Sequence, residues 1–316
     1  MKPRYAASLF PLLLPVLLGG MFIAGCRTPE DHKESSMPAT AIMDRPEILQ
    51  VLFHPRKTVR TPLPPESTDI DVNIEDDVRI GCRLHGRDQD APVILFFHGN
   101  GEIVADYDDV GPMYRQVGLN FLVTDYRGYG WSTGTPTSSS LLSDAHVLYR
   151  ELKKWLADNG YSGDLFLMGR SLGSACAIEL AAAFDDEISG LIIESGFAQT
   201  LPLARTLGMD LERLGVREED TFNNAAKIAG VTSPTFILHG QRDTLIPIWQ
   251  AEKLMAASPA RTRELQIIPG ADHNSLMAVG GIHYFQAIRQ FIDKVTGRSE
   301  DWRQRRRRIK QQRQKG

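Results

Sequence analysis

Two patterns of apolar and polar positions divide the chain. In the first, apolar residues alternate with polar ones: Ile70, Val72 and Ile74, then Val78, Ile80 and Cys82. A period of two buries one face and leaves the other wet, so two strands are predicted, with Glu75-Asp76-Asp77 as the hairpin turn between them. From Val93 onward the pattern changes to unbroken apolar runs. These are Val93-Ile94-Leu95-Phe96-Phe97, Phe121-Leu122-Val123, Leu165-Phe166-Leu167-Met168, Leu191-Ile192-Ile193 and Phe236-Ile237-Leu238, with Leu265-Gln266-Ile267-Ile268 close to that form. Strands buried on both faces of a parallel sheet read this way. Between the runs apolar residues return at helical spacing, most clearly over 143–155 with Ala145, Leu148, Leu152 and Trp155, and again over 175–184, 248–256 and 282–295. Strands alternating with helices predict an α/β fold: a mostly parallel central sheet with helices on both faces. Residues 197–231 are long for a connection and carry a helical pattern of their own, which predicts a small cap segment over the strand ends.

The two ends depart from this pattern. Lys2 and Arg4 precede an uncharged stretch over 5–25, interrupted by Pro11, Pro15, Gly19 and Gly20. A short basic segment followed by an apolar one is the secretory signal layout; an uncleaved membrane-spanning anchor is the alternative. The stretch ends in Ile23-Ala24-Gly25-Cys26, which resembles the lipobox of bacterial lipoproteins. The resemblance implies cleavage before Cys26 and lipid modification of that cysteine, and several acyl chains anchor a protein stably. Arg27 in place of an aspartate slightly favours the outer membrane of a Gram-negative cell. The expected organisation is a signal peptide over 1–25, a polar tether over 26–46, one catalytic-size domain over 47–296 and a basic tail over 297–316.

Composition sharpens that division. The 316 residues carry a net charge of −3 and only three cysteines, which excludes a disulfide-dense scaffold. From Arg298 to Gly316 there are nine basic and two acidic residues, +7 in all, so the remainder carries −10. An acidic body thus ends in a basic tail, either solvated or drawn to anionic lipid head groups at roughly 1 kcal/mol per basic residue near the surface. Nucleic acid is not an expected partner in an extracytoplasmic compartment.

The chemistry is concentrated in Gly169-Arg170-Ser171-Leu172-Gly173, a G-x-S-x-G that follows one apolar run and opens a helix. That context forces a sharp strand-to-helix turn which lifts the serine hydroxyl clear of the sheet. Gly169 and Gly173 give room for strand and helix to approach, and the backbone N–H of Leu172 points where an oxyanion would form. A helix-capping serine is the bland alternative. A hydroxyl needs a base to take its proton. Of eight histidines, His273 alone combines a loop position after a strand with the order nucleophile, acid, histidine. Asp243, after the run ending in Leu238, is the favoured acid, and Glu194, after Ile193, is its rival. Asp272 reads as a turn former.

These segments, with Phe97-His98-Gly99-Asn100-Gly101, Asp125-Tyr126-Arg127-Gly128-Tyr129-Gly130 and Gly270-Ala271-Asp272-His273, resemble the α/β-hydrolase family, and in wording its Bem46-like branch. The resemblance implies an eight-stranded sheet, a Ser–His–Asp triad and no cofactor, with the Asn100 backbone N–H as second oxyanion donor. His98 then braces that loop, Gly99 permits its turn, and Asp125 and Arg127 hold the turn after the fourth strand. No metal-ligand spacing or nucleotide motif is present. Cys82 and Cys176 read as core residues, with a disulfide as the alternative.

The expected activity is a serine hydrolase of the esterase, lipase or thioesterase type, acting at the bacterial cell envelope on a small or lipid-like acyl substrate. Phe197, Leu201, Leu203, Leu207 and Met209 would either line an acyl pocket or pack the cap. A serine peptidase and a non-catalytic envelope lipoprotein are the alternatives.

Overall fold

A computed structural model describes residues 39–298. The signal-like segment, Cys26, the first part of the tether and the arginine run of the tail lie outside the described residues. In chain order the body runs α1 (Pro46–Leu52), β1 (Ser67–Glu75), β2 (Val78–His85), β3 (Val93–Phe97), α2 (Gly111–Gln116), β4 (Asn120–Thr124) and α3 (Ser138–Asp158). It continues with β5 (Leu165–Arg170), α4 (Gly173–Ala183), β6 (Gly190–Glu194), α5 (Thr200–Thr206), α6 (Asn224–Ile228), β7 (Thr235–Gly240), α7 (Trp249–Ala257), β8 (Arg263–Ile268), α8 (Leu276–Gly280) and α9 (Ile282–Val295).

The eight strands form one sheet in the order β1-β2-β4-β3-β5-β6-β7-β8. Only β2 runs against its neighbours, and β3 to β8 pair in parallel. The unbroken apolar runs follow from this layout, because successive side chains of a strand serve opposite cores. Val93, Leu95 and Phe97 join Leu167, Leu191 and Ile193 in the core beneath α1, α3, α4 and α7. Ile94 and Phe96 join Phe166, Met168 and Ile192 in the core beneath α2, α8 and α9. From α9 alone, Tyr284, Phe285, Ile288, Phe291 and Ile292 are buried. Each such side chain contributes about 1.5–3 kcal/mol relative to an exposed one.

Three features differ from the pattern-based reading. Helix α3 begins at Ser138 rather than near 143, because Thr137 caps it: its hydroxyl accepts the Ser140 N–H at 3.0 Å, and Ser140 Oγ accepts the Thr137 N–H at 2.8 Å. Residues before Glu47 also pack on the body. A 3-10 turn over Ala39–Asp44 buries Met43 completely, and the Ser138 hydroxyl donates to the Met43 carbonyl at 3.2 Å. Third, the cap segment packs on itself. Phe197 is fully buried with its ring centroid 6.0 Å from that of Phe222, and Leu203 is buried beside it. Leu201 and Met209 lie partly buried against the same core, and Leu207 is exposed. Phe197 and Leu203 therefore serve packing rather than an open acyl pocket. Cys82 and Cys176 are free, buried thiols, not a disulfide.

Candidate active site

Five loops at the carboxyl edge of the sheet supply the site, following β3, β5, β6, β7 and β8. Open α/β sheets bind ligands at this edge, since the loops there converge while the strands hold their bases fixed.

The turn after β5 places Ser171 at φ 51°, a left-handed conformation rare for a residue with a side chain. The strain is held from both sides. The Ser171 N–H donates to the Glu194 carbonyl at 3.0 Å, and the Ser171 carbonyl accepts the Ser174 N–H at 3.0 Å and the Ser174 hydroxyl at 2.6 Å. A side chain on Gly169 would collide with the Gly173 backbone, and one on Gly173 with the Phe97 carbonyl. At both glycines the backbone of another segment leaves no room for a side chain.

The structure brings Ser171, His273 and Asp243 into one hydrogen-bonded chain. Nε2 of His273 is 3.0 Å from Ser171 Oγ, and Nδ1 is 2.8 Å from Asp243 Oδ2. The remaining Asp243 oxygen, Oδ1, accepts the N–H groups of Leu245 and Ile246 at 3.0 and 2.8 Å. These bonds aim the carboxylate and satisfy its charge. Ser171, His273 and Asp243 are each buried to more than nine-tenths. Below them His239 donates from Nε2 to the Ile246 carbonyl at 2.7 Å, and burial lowers its pKa. It braces the Asp243 loop. Asp272 is the turn former expected: Oδ1 accepts the Asn274 N–H at 3.0 Å and the Ser275 hydroxyl at 2.6 Å.

Glu194 is placed differently. Its Oε2 accepts the Tyr284 hydroxyl at 2.6 Å, and Oε1 faces Arg170 Nε at 3.4 Å. Burial pushes its carboxyl above the ordinary range, although Arg170 opposes this. It makes no hydrogen bond to His273, so the rival acid belongs to a separate network.

Around the serine, the backbone N–H groups of Leu172 and Asn100 have no acceptor among the described residues. The Asn100 side chain is fully engaged elsewhere. Its Oδ1 accepts the Tyr129 hydroxyl at 2.7 Å and the His54 N–H at 2.9 Å, and its Nδ2 donates to the Leu52 carbonyl at 2.8 Å. The loop after β3 is clipped in this way to the end of α1 and the chain just beyond it, a link that no periodicity in the sequence encodes. The ring nitrogens of His98 reach the Gly99 carbonyl at 2.8 Å and Asp125 Oδ1 at 3.1 Å. The Asp125 carboxylate also accepts the Val104 N–H at 2.9 Å. Arg127 donates to Asp144 of α3 at 2.6 and 2.7 Å and to Glu75 at 2.8 Å, a structural ion pair. The Gly99 backbone is not left-handed, and a side chain there would strike the Arg170 guanidinium and the Glu102 carboxylate. Among the described residues no group of three His, Cys, Asp or Glu side chains is arranged to hold a metal ion.

Sequence and fold comparisons find similar proteins. A family model described as serine aminopeptidase, S33, matches residues 88–214. An uncharacterized protein of Mycobacterium tuberculosis is 28% identical over 237 residues, 73% of this chain and 81% of that one. Protein bem46 of Schizosaccharomyces pombe is 27% identical over 206 residues, covering 64% and 67% of the two chains. Among solved structures, an esterase of Pyrococcus furiosus superposes with a TM-score of 0.62 at 21% identity, over 76% of this chain and 98% of that one. A monoglyceride lipase of Saccharomyces cerevisiae superposes with a TM-score of 0.58 at 20% identity, over 75% and 97%. Sheet order and these likenesses show that the chain has the α/β-hydrolase fold. Within that class it resembles the Bem46-like branch.

Proposed function

We propose that this protein is a serine hydrolase that cleaves a carboxylic ester or thioester through an acyl-enzyme intermediate. One observation carries the reading: His273 Nε2 lies 3.0 Å from Ser171 Oγ while its other nitrogen is held by Asp243 at 2.8 Å. In the proposed cycle His273 takes the Ser171 proton as Oγ attacks the carbonyl carbon. Asp243 fixes the imidazole tautomer and stabilises its charged form. The Leu172 and Asn100 N–H groups receive the developing oxyanion, each such donor being worth about 3 kcal/mol. His273 then protonates the leaving group, and a water repeats the sequence on the acyl-enzyme. The esterase and lipase among the structural neighbours favour an ester substrate. A peptide amide is the second reading, favoured by the description of the matching family model.

The proposed setting is the bacterial cell envelope, with Cys26 lipidated and the basic tail close to the same membrane. Its support is the sequence Ile23-Ala24-Gly25-Cys26 behind a basic and apolar leader. Equal labelled-palmitate incorporation by wild type and Cys26→Ala would remove the anchor. The activity is tested with a fluorophosphonate probe on wild type and Ser171→Ala. A panel of p-nitrophenyl esters, an acyl thioester and an aminoacyl amide then ranks the substrates. Labelling of wild type only, with esters turned over faster than the amide, is the expected result. Labelling that persists in Ser171→Ala overturns it.

A further inference from the structure

Arg170 immediately precedes the nucleophile and is nearly buried, with a side-chain exposure of 6%. A guanidinium taken out of water requires several acceptors, and the acceptors here come from three different parts of the site. Nη1 donates to Oε1 of Glu102, in the loop after β3. Nη2 donates to the backbone carbonyl of His273 at 2.9 Å and to Asn274 Oδ1 at 3.0 Å, in the loop after β8. Nε faces Glu194 Oε1 at 3.4 Å, at the end of β6. The bridge continues through Glu102, whose Oε2 accepts the Gly99 N–H at 2.7 Å and the Tyr107 hydroxyl at 2.7 Å. Gly99 is the residue before Asn100.

Burial works against ionisation of Glu102, but Arg170, the Tyr107 hydroxyl and the Gly99 N–H outweigh it and hold the carboxyl below its ordinary range. Glu194, fully buried behind the guanidinium, is shifted the other way. The nearer carboxylate to Arg170 is Glu102, on the side facing the oxyanion loop. A lysine has a single point of attachment and cannot span acceptors in both loops, whereas the planar fork can.

We propose that Arg170 is a positioning residue which locks the histidine loop to the oxyanion loop, so that His273 and the Asn100 N–H keep a fixed relation to Ser171. The proposal rests on the serine-hydrolase reading above. Misplacement of reacting groups by about 1 Å costs on the order of 10²-fold in rate. It leaves ground-state binding of substrate largely intact, so the loss falls on kcat and not on KM.

The test measures ester hydrolysis by wild type, Arg170→Gln, Arg170→Lys and Glu102→Gln, with kcat expressed per site titrated by fluorophosphonate. Counting sites this way removes any loss due to unfolded protein. We expect Arg170→Gln to lose about 10²-fold in kcat with KM within about twofold, and Arg170→Lys to recover part of the loss. Glu102→Gln cuts the same bridge at its other end, so it loses kcat too, and the double variant is no worse than Arg170→Gln alone. Should Arg170→Gln not fold, Glu102→Gln and Arg170→Lys carry the test. Variants that keep kcat per site within about threefold of wild type, or whose losses multiply independently, overturn the inference alone. A wild type that is neither labelled at Ser171 nor active on any ester overturns the serine-hydrolase reading and the inference with it.

Discussion

Nδ1 of His273 lies 2.8 Å from Oδ2 of Asp243, and this contact separates two carboxylates near the serine, one ending β6 and one in the loop after β7. Glu194 has its oxygens turned to Tyr284 and Arg170 instead. Asp243→Asn is accordingly expected to lower kcat by about 10³–10⁴-fold, because the amide no longer selects the tautomer in which Nε2 is free to accept the Ser171 proton. Glu194→Gln retains an acceptor for the Tyr284 hydroxyl and is expected to cost no more than about tenfold. Ester hydrolysis per titrated site decides. Equal losses in the two variants would reassign the acid.

The elbow leads to a prediction about stability. Gly173→Ala places a methyl group against the Phe97 carbonyl, which is part of β3 and cannot move without disturbing the sheet. Overpacking of this kind costs about 1–3 kcal/mol, and a backbone obstacle puts it at the upper end. Gly230→Ala is the matched control: its new methyl would meet only the Lys227 carbonyl at an ordinary 3.5 Å. It should change stability by no more than about 0.5 kcal/mol. Urea midpoints of the two variants compare them directly, and a Gly173→Ala midpoint equal to that of wild type sinks the argument.

His85 gives the body a dependence on pH. It is buried at the end of β2, where its Nδ1 meets the Ser67 hydroxyl at 2.9 Å. Burial, followed by the charges of Arg83 and Arg115, lowers its pKa to about 4. A histidine depressed in the folded state stabilises fully above its unfolded pKa, about 6.5. That contribution is lost as pH falls from there toward 4, by up to about 3 kcal/mol. Urea unfolding of wild type and His85→Asn between pH 7 and pH 4 is the check. The variant should lose less stability across this window, and parallel curves would exclude His85 as the source.

The fold and the order of the site were legible in the sequence because both rest on local patterns. Doubly buried strands must be apolar throughout, and the elbow must carry small residues on either side of Ser171. Arg170 was not legible as more than a variable position within the motif. Its partners Glu102 and His273 lie 68 and 103 residues away, and no periodicity encodes such contacts. One signal was present: a charged residue closing an apolar strand is costly unless paired. The side chain of Asn100 was missed for a similar reason, since its partners at Leu52 and His54 belong to the arm before the first strand. The turn over Ala39–Asp44 was hidden because a single 3-10 turn is too short to show an apolar period. The cap residues misled in part, since an apolar side chain facing a substrate and one facing a core look the same in sequence.

The cap itself is tied down by a carboxylate. Glu179 of α4 meets His146 Nε2 of α3 at 3.1 Å and the Lys227 ammonium of α6 at 2.6 Å, so one side chain joins a cap helix to two helices of the body. The His146 hydrogen bond is the largest influence on Glu179. Burial opposes it, Lys227 reinforces it, and the carboxyl falls to about 2. A carboxylate depressed in the folded state contributes its stability above the unfolded value, near 4.5, and loses it as pH falls toward 2. The side chain is still 23% exposed. Solvent screening therefore reduces the contribution to about 1–2 kcal/mol. Glu179→Gln should be less stable than wild type at pH 7 by that amount, and the two curves should converge as pH approaches 2. This window lies mostly below that of His85, so the two groups are separable within one titration. Amide exchange adds a local readout: protection over α6 should fall in Glu179→Gln while the strands of the sheet keep theirs. If the curves stay a constant distance apart down to pH 2, the carboxylate charge is not what holds the cap helix.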